Sequence, residues 1–270
     1  MSSFDSLKRN RSSLEKLTKA IEATTQTTTE SGSREDTRVW QPTVDKAGNG
    51  MAIIRFLPAP AVDGEDALPW VRVFSHGFQG PGGWYIENSL TTLNQKDPVS
   101  EYNSTLWNSG IDANKNIARN QKRRLNYIAN IYVVSDPSNP ENEGQIKLFK
   151  FGKKIFDKIT EAMNPEFEDE TPVNPFDMWE GANFKLKIRN VDGYRNYDKS
   201  EFADQSALFD GDDEKLEALW KKEFGLKEFT EKKQFKSYEQ LKGRLDKVLG
   251  FDGAAAAPKT KAAEIGRAHV

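Results

Sequence analysis

The chain has 270 residues, 36% of them hydrophobic and 30% charged, with a formal net charge of only -2; that length allows one good-sized core with a small satellite lobe and polar tails. It carries no cysteine and two histidines, His76 and His269, which excludes disulfides, thiolate chemistry and thiolate metal sites and leaves no basis for a His-based triad or a multi-His zinc site. No apolar run approaches the roughly 18 residues of a membrane span, and the opening segment MSSFDSLKRNRSSLEKL lacks the apolar stretch of a secretory signal, so a cytoplasmic protein with no membrane partner is expected.

Residues 1–38 read as an arm and linker. Ser12, Ser13 and Glu15 have capping-box spacing, Leu14, Leu17 and Ile21 share a helical face, and the polar stretch TTQTTTESGSRED follows. From Trp40 to about Val191 short β-type runs alternate with turns: MAIIRFLP, WVRVFS, WYIE, YIANIYVV, IKLFKF and FKLKIRNV. Their spacing predicts a small barrel. A loop-rich stretch from about 88 to 119 and the helix GKKIFDKITEAM, with Ile155, Ile159 and Met163 as its stripe, read as insertions packed as a lobe against it. Two more helices close the globular part. One starts at the acids Asp212, Asp213 and Glu214 and buries Leu216, Leu219 and Trp220; the other is capped by Ser237 and Gln240 and buries Leu241, Leu245 and Val248. The alanine-rich segment after Gly250 has no core-forming residues.

Positive charge is local. Lys115, Arg119, Lys122, Arg123 and Arg124 lie between Asn114 and Arg124 with no acid among them, and five lysines stand against Asp157 between Lys147 and Lys158, interleaved with Phe149 and Phe151. In FKLKIR, strand alternation puts Phe184, Leu186 and Ile188 on one face and Lys185, Lys187 and Arg189 on the other. Tyr194 and Tyr197 flank Arg195 just beyond. Any one ring is more often core than platform, and a charged strand face is often merely solvated. Together, though, cations that track phosphates and rings that stack unpaired bases point to single-stranded nucleic acid. The glycines of GFQGPGGW lack the Lys-Ser/Thr of a phosphate loop and read as a hairpin; DGDDE departs from a calcium loop and reads as helix capping. No carboxylate set singles itself out for catalysis.

The segments DKAGNGMAIIRFLP, HGF…GGWYIE, YIANIYVVSDPSNPENEG, FKFGKKIFDKI, WEGANFKLKIRNVDGYRNYD and FKSYEQL, in order between Asp45 and Leu249, resemble the T-even-type bacteriophage single-stranded DNA-binding proteins. That resemblance implies an OB-fold core, five-stranded and mainly β with helices, at residues 39–250, a flexible basic arm for cooperative binding, and an acidic C-terminal tail for phage replication and recombination proteins. It implies a single-strand cleft of Arg55, Lys122, Arg123, Arg124, Tyr127, Phe149, Tyr194 and Tyr197, to which the strand adds Lys185 and Lys187. Phe149 stands where the family usually has tyrosine. The arm motif is carried by Lys8, Arg9, Arg11, Ser12 and Ser13, interrupted by Asn10; its internal counterpart KRRLN lacks the hydroxyl pair. The family's structural zinc, held by one histidine and three cysteines, is expected to be absent here: the matching positions hold His76, Ser89, Asp97 and Ser100, a set too poor in ligands to retain zinc. Leu90, Leu93, Val99, Leu106 and Trp107 are expected to pack the lobe instead. EIGRAHV reads like a translated sequencing adapter, which would make Glu264–Val270 foreign to the gene and the acidic tail missing.

The expected function is non-enzymatic, cooperative, sequence-independent single-stranded DNA binding in phage replication, recombination and repair, in the cytoplasm of an infected bacterium, with copies associating along the strand and no cofactor. An RNA-binding regulator on the same fold is the alternative; a nuclease would need a carboxylate-metal constellation.

Overall fold

The computed structural model describes Phe4 and residues 36–251. Nine strands form one branched sheet: β1 (Val39–Trp40), β2 (Gly50–Phe56), β3 (Val71–Gly80), β4 (Gly83–Asn88), β5 (Arg124–Ser135), β6 (Ile146–Phe151), β7 (Ala182–Val191), β8 (Tyr194–Asn196) and β9 (Glu201–Gln205). The order along the main path is β1-β6-β5-β2-β7-β8, with β3 joining β5 to β4 and β9 edging β7. All pairings are antiparallel except β1 with β6. Every run read as a strand is one. The three short strands β1, β8 and β9 were not expected, because two to five residues carry too little periodicity to register.

β5 organises the sheet. Its near-continuous apolar sequence is buried on both faces, as a strand covered on both sides should be. One face carries Leu125, Tyr127, Ala129, Ile131 and Val133 into the main core with Ile54, Phe56, Phe149, Phe184 and Leu186. The other meets Val73, Leu148 and Leu226 in a second cluster. Along one edge β5 pairs with β6; along the other it pairs first with β3 and then with β2.

Among residues 36–251 the α-helices are α1 (Pro98–Asn108), α2 (Asp112–Asn120), α3 (Lys153–Met163), α4 (Asp213–Trp220) and α5 (Tyr238–Leu249). The two insertions do not form one lobe. In α3, Ile155, Phe156, Ile159 and Met163 enter the main core, with Phe156 stacked on Tyr127 at 3.8 Å, so this helix plugs the sheet. The stretch read as loop-rich contains α1 and α2, and it packs instead on the C-terminal helix: Leu90 and Val99 meet Phe78, Tyr85, Leu241, Leu245 and Val248. Leu106 is buried as expected, whereas Trp107 is exposed and lies under the Arg119 guanidinium. Asp97 with Pro98 was the missed start signal for α1: a capping carboxylate followed by proline at the first helical position.

The β3–β4 turn is the hairpin expected from GFQGPGGW, and its tip sits on the end of α5. Gly82 N–H donates to Val248 O at 2.8 Å, and a Cβ on Gly82 would lie 2.0 Å from Lys247 O. Only glycine permits that approach. Ser237 and Gln240 form the predicted capping box, and Asp212 caps α4 through the amides of Glu214 and Lys215. Of the region read as arm and linker, Asp36–Arg38 is tied to the core: Arg38 pairs with Asp36 and Glu228, each at 2.7 Å, and its carbonyl accepts from Leu148. No helix among the described residues is long and apolar enough to cross a membrane.

Candidate nucleic-acid interface

The mouth of β5 carries the densest unpaired charge. Lys122 is exposed, Arg123 and Arg124 are half-exposed, and none of the three makes an ion pair among the described residues. Because neighbours along a strand point to opposite sides, the two arginines serve different faces. Arg123 lies over the Phe74 ring at 4.2 Å, on the main-core side, while Arg124 is registered opposite Ser75 on the other.

On that second face two recesses follow the β3–β4 hairpin. The first, about 350 Å³, is lined by Phe78, Gln79, Trp84, Ile117 and Arg124. The second, about 330 Å³, is lined by Ser75, Asn88, Lys150, Lys233 and Lys236. The registers Gln79 with Trp84 and Ser75 with Asn88 put both on one side of the ribbon. Trp84 is 55% exposed, an indole beside an arginine, which is the pairing that base stacking and phosphate contact require. Sequence reasoning placed Trp84 on a strand and went no further; its signal was the alternation of Trp84 and Ile86 against Tyr85 and Glu87, which sends Trp84 to the side away from the lobe core.

The base of the cationic run is held by the lobe. Gln121 closes α2, and its carbonyl accepts from His76 Nδ1 at 3.0 Å and from Asn103 Nδ2 at 3.1 Å. His76 Nε2 lies 3.3 Å from Asp97 Oδ1, both side chains being buried. Asp97 also accepts from the amides of Leu90, Val99 and Ser100 and from Ser89 Oγ, at 2.9–3.1 Å. Burial acts to raise the Asp97 carboxyl, but His76 and the hydrogen bonds from Ser100 and Ser89 outweigh it and hold it below its ordinary value. These are the four positions matched to the family's zinc ligands, and their chemistry does not fit zinc: both Asp97 oxygens are already engaged, Ser89 donates rather than ligates, and Ser100 contributes its amide. Among the described residues no group of three or more His, Cys, Asp or Glu could hold a metal ion.

β7 alternates as the sequence predicts, with Phe184, Leu186 and Ile188 buried and Lys185, Lys187 and Arg189 outward. Its outer face is not a bare cationic surface, however. Lys187 Nζ is 2.7 Å from Glu201 Oε1, and Arg189 pairs with Asp198. Those hydrogen bonds hold both carboxyls below their ordinary values, with Lys185 adding to the pull on Glu201. β7 then turns back through Asp192 and Gly193, both at positive φ, in the two-residue hairpin that Asp-Gly favours. Tyr194, at the tip, is 79% exposed, with Arg195 beside it. Tyr197 is half-buried against the main core.

Three of the expected cleft residues lie inside the protein, which corrects the expectation that they face a strand. Arg55 is fully buried, its Nη2 donating to the carbonyls of Asp177 at 2.9 Å and Ser206 at 2.7 Å. Burial pushes it down to about 10, with Asp177 opposing, so it stays charged at neutral pH as an internal clamp. Tyr127 is 2% exposed, stacked between Phe151 and Phe156, and burial raises its hydroxyl to about 12. Phe149 is also 2% exposed and meets Trp40 edge-on. Flanking cations suggested exposure, but both rings sit at inward positions of β5 and β6, where alternation decides burial.

The structure therefore sets Arg124 beside Trp84, with Lys122 and Arg123 next to it in the chain and Arg123 turned to the opposite face, and it puts Lys185 and Lys187 on β7 and Tyr194 at the β7–β8 tip, with Tyr197 turned against the main core. The eleven residue steps of β5 from Arg124 to Ser135, which leads to the β7–β8 end through β2, amount to ~35 Å of strand. The arm residues Lys8, Arg9, Arg11, Ser12 and Ser13, and everything after Phe251, lie outside the described residues.

The family model described as "gp32 DNA binding protein like" matches residues 48–249. The chain belongs to this family of T4-type phage DNA-binding proteins. It is 42% identical over 242 residues to the "Single-stranded DNA-binding protein" of Enterobacteria phage T2, covering 86% of this chain and 78% of that one, and equally to the protein of that name from Enterobacteria phage T4. A shorter match, 42% over 72 residues and 26% of this chain, covers 61% of the protein of the same name from Escherichia phage SV14. These relatives are named for binding rather than for catalysis.

Proposed function

We propose that this chain is a non-enzymatic, sequence-independent single-stranded DNA-binding protein that coats strands cooperatively during phage DNA replication, recombination and repair in the infected host's cytoplasm. The observation that carries the reading is the run Lys122, Arg123 and Arg124, free of ion pairs among the described residues and anchored through Gln121, with Arg124 beside the exposed Trp84. Binding rests on counterion release by these cations, helped by Lys150, Lys185 and Lys187, and on stacking at Trp84 and Tyr194. The branched sheet wrapped on one aromatic core is read as a partly open OB-type barrel, and residues 39–250 as the binding core. The lobe works without zinc, its ligand positions being given over to the Asp97 cluster. Lys8, Arg9, Arg11, Ser12 and Ser13 act between copies, and phage replication and recombination proteins are further partners.

Titration of tryptophan fluorescence with matched DNA and RNA oligonucleotides and with duplex DNA, at two salt concentrations, tests the reading. Single-stranded DNA is expected to be preferred, with a log-log salt slope of about -0.7 per neutralised phosphate. Equal affinity for duplex, or no salt dependence, overturns it.

A further inference from the structure

A third recess lies between α4 and the β5–β6 pair, away from the basic mouth. It holds about 540 Å³, within the range of small-molecule sites, and three half-buried rings wall it: Tyr132 of β5, Phe209 and Phe224, with Ile146 of β6. Lys215 and Lys222, both exposed, also line it; Lys215 Nζ is 2.9 Å from Asp212 Oδ2, and Lys222 makes no ion pair among the described residues. Two of the rings are placed by specific local structure. Phe209, Asp210 and Gly211 run at φ of 52°, 55° and 79°, left-handed at three successive positions of which only the last is glycine. A bulky residue in that region is strained, and here it brings the Phe209 ring edge-on to Tyr132, with centroids 5.2 Å apart and planes at 81°. Phe224 is held by the Asn130 side chain, which accepts from its amide at 3.1 Å and donates to its carbonyl at 2.8 Å.

We infer that this recess binds a free mononucleotide, its base against the rings and its phosphate on Lys222 and Lys215, at a site separate from the strand. Ring faces stack on any base, and lysine meets phosphate as a point charge. An aliphatic anion would leave the rings unused, and a neutral aromatic compound would leave the lysines unused; a nucleotide engages both. Tyr132 and Arg124 are eight residue steps apart on β5, ~27 Å of strand, so the protein holds a nucleotide here and a polynucleotide at the basic mouth together. The site goes beyond the proposed strand binding and shares no residue with it.

Calorimetric titration of the full chain with deoxyadenosine monophosphate tests this. Saturable binding of one nucleotide per chain is expected, and deoxyadenosine and inorganic phosphate are each expected to bind at least ~10-fold more weakly. Lys222→Glu should weaken nucleotide binding ~10-fold or more. Phe209→Gly, which keeps the left-handed backbone and removes the ring, should weaken it ~5- to 150-fold. A saturating single-stranded oligonucleotide should leave nucleotide affinity within about threefold, and both variants should keep wild-type affinity for that oligonucleotide. No saturable binding, affinity unchanged by both substitutions, or displacement of the nucleotide by the oligonucleotide overturns the inference. Should Phe209→Gly fail to fold, Lys222→Glu, a change at an exposed position, decides alone. Because the nucleotide is titrated first without oligonucleotide, a chain that binds it at this site but binds no strand would overturn the strand reading and uphold this one.

Discussion

Arg55→Ala separates a clamp from a phosphate contact. The guanidinium donates to two main-chain carbonyls from segments 122 and 151 residues away in sequence, and hydrogen bonds from a charged donor are worth ~1.5–3 kcal/mol each. Removing it takes a charged donor from both carbonyls, leaving Asp177 O with only the Gly181 amide, and opens a cavity under the turn at Gly181, whose own Cβ position lies 3.1 Å from Arg55 Nη2. A combined loss of ~3–5 kcal/mol follows. At ~2–4 °C per kcal/mol for a domain of this size, the melting temperature should fall by roughly 6–20 °C. Differential scanning calorimetry measures that fall, and oligonucleotide titration well below the new melting point should give an affinity within about threefold of wild type. A melting temperature within 2 °C of wild type together with a tenfold or greater loss of affinity would refute the reasoning, because a surface phosphate contact behaves that way.

Arg123→Glu should weaken binding to all single-stranded sequences alike and flatten the log-log salt slope by about 0.7 or more; an unchanged slope in the same titrations would remove Arg123 from the interface. Trp84→Ala should cost ~1–3 kcal/mol of oligonucleotide affinity with no loss of melting temperature, since the ring is exposed. Glu223 is buried without a partner for either carboxyl oxygen among the described residues, and burial, with Asp63 adding, holds its carboxyl well above the ordinary 4.5. The folded state thus favours the protonated form, so the wild type loses stability as pH rises above ~4.5; Glu223→Gln should melt higher than wild type at pH 7 and equally at pH 4, and calorimetry at the two values checks this. Asp97 is shifted the other way, so its contribution is complete above 3.8 and lost as pH falls through its lower folded value; Asp97→Ala should cost ~1–3 kcal/mol at pH 7 and loosen hydrogen-exchange protection of Val99 and Ser100 ahead of β5.

What could be read in the sequence was whatever repeats with a period. β7 needed only alternation, and α5 only its Ser237 cap and three-four spacing. Arg55 was placed in the cleft by the resemblance alone, and its own strand could not show otherwise: the 177–181 turn and Ser206 that cover it arrive from more than 120 residues away. Tyr127 and Phe149 failed for a related reason. Charge neighbours a ring along the chain, but exposure depends on what packs across the sheet, and here that is Phe156 of α3. The Lys187 and Arg189 pairings were equally out of reach, since β9 and Asp198 had not been recognised as facing β7.

The lobe and the basic mouth are one mechanical unit, joined through Asp97. Asp97 fastens Ser89 and the first turn of α1, reaches His76 on β3, and His76 with Asn103 of α1 holds the Gln121 carbonyl from which Lys122–Arg124 project. A carboxylate in this place does what a tetrahedral ion does elsewhere: it fixes segments from β3, the 89–97 loop and α1 at one point. It does so with the neutral hydroxyl of Ser89, backbone amides and the His76 ring as its partners. Hence the integrity of the binding face should depend on protonation of Asp97 and be indifferent to chelators. Treatment with EDTA at neutral pH is expected to leave both melting temperature and oligonucleotide affinity unchanged, while Asp97→Ala lowers affinity through displaced cations that the substitution itself never touches.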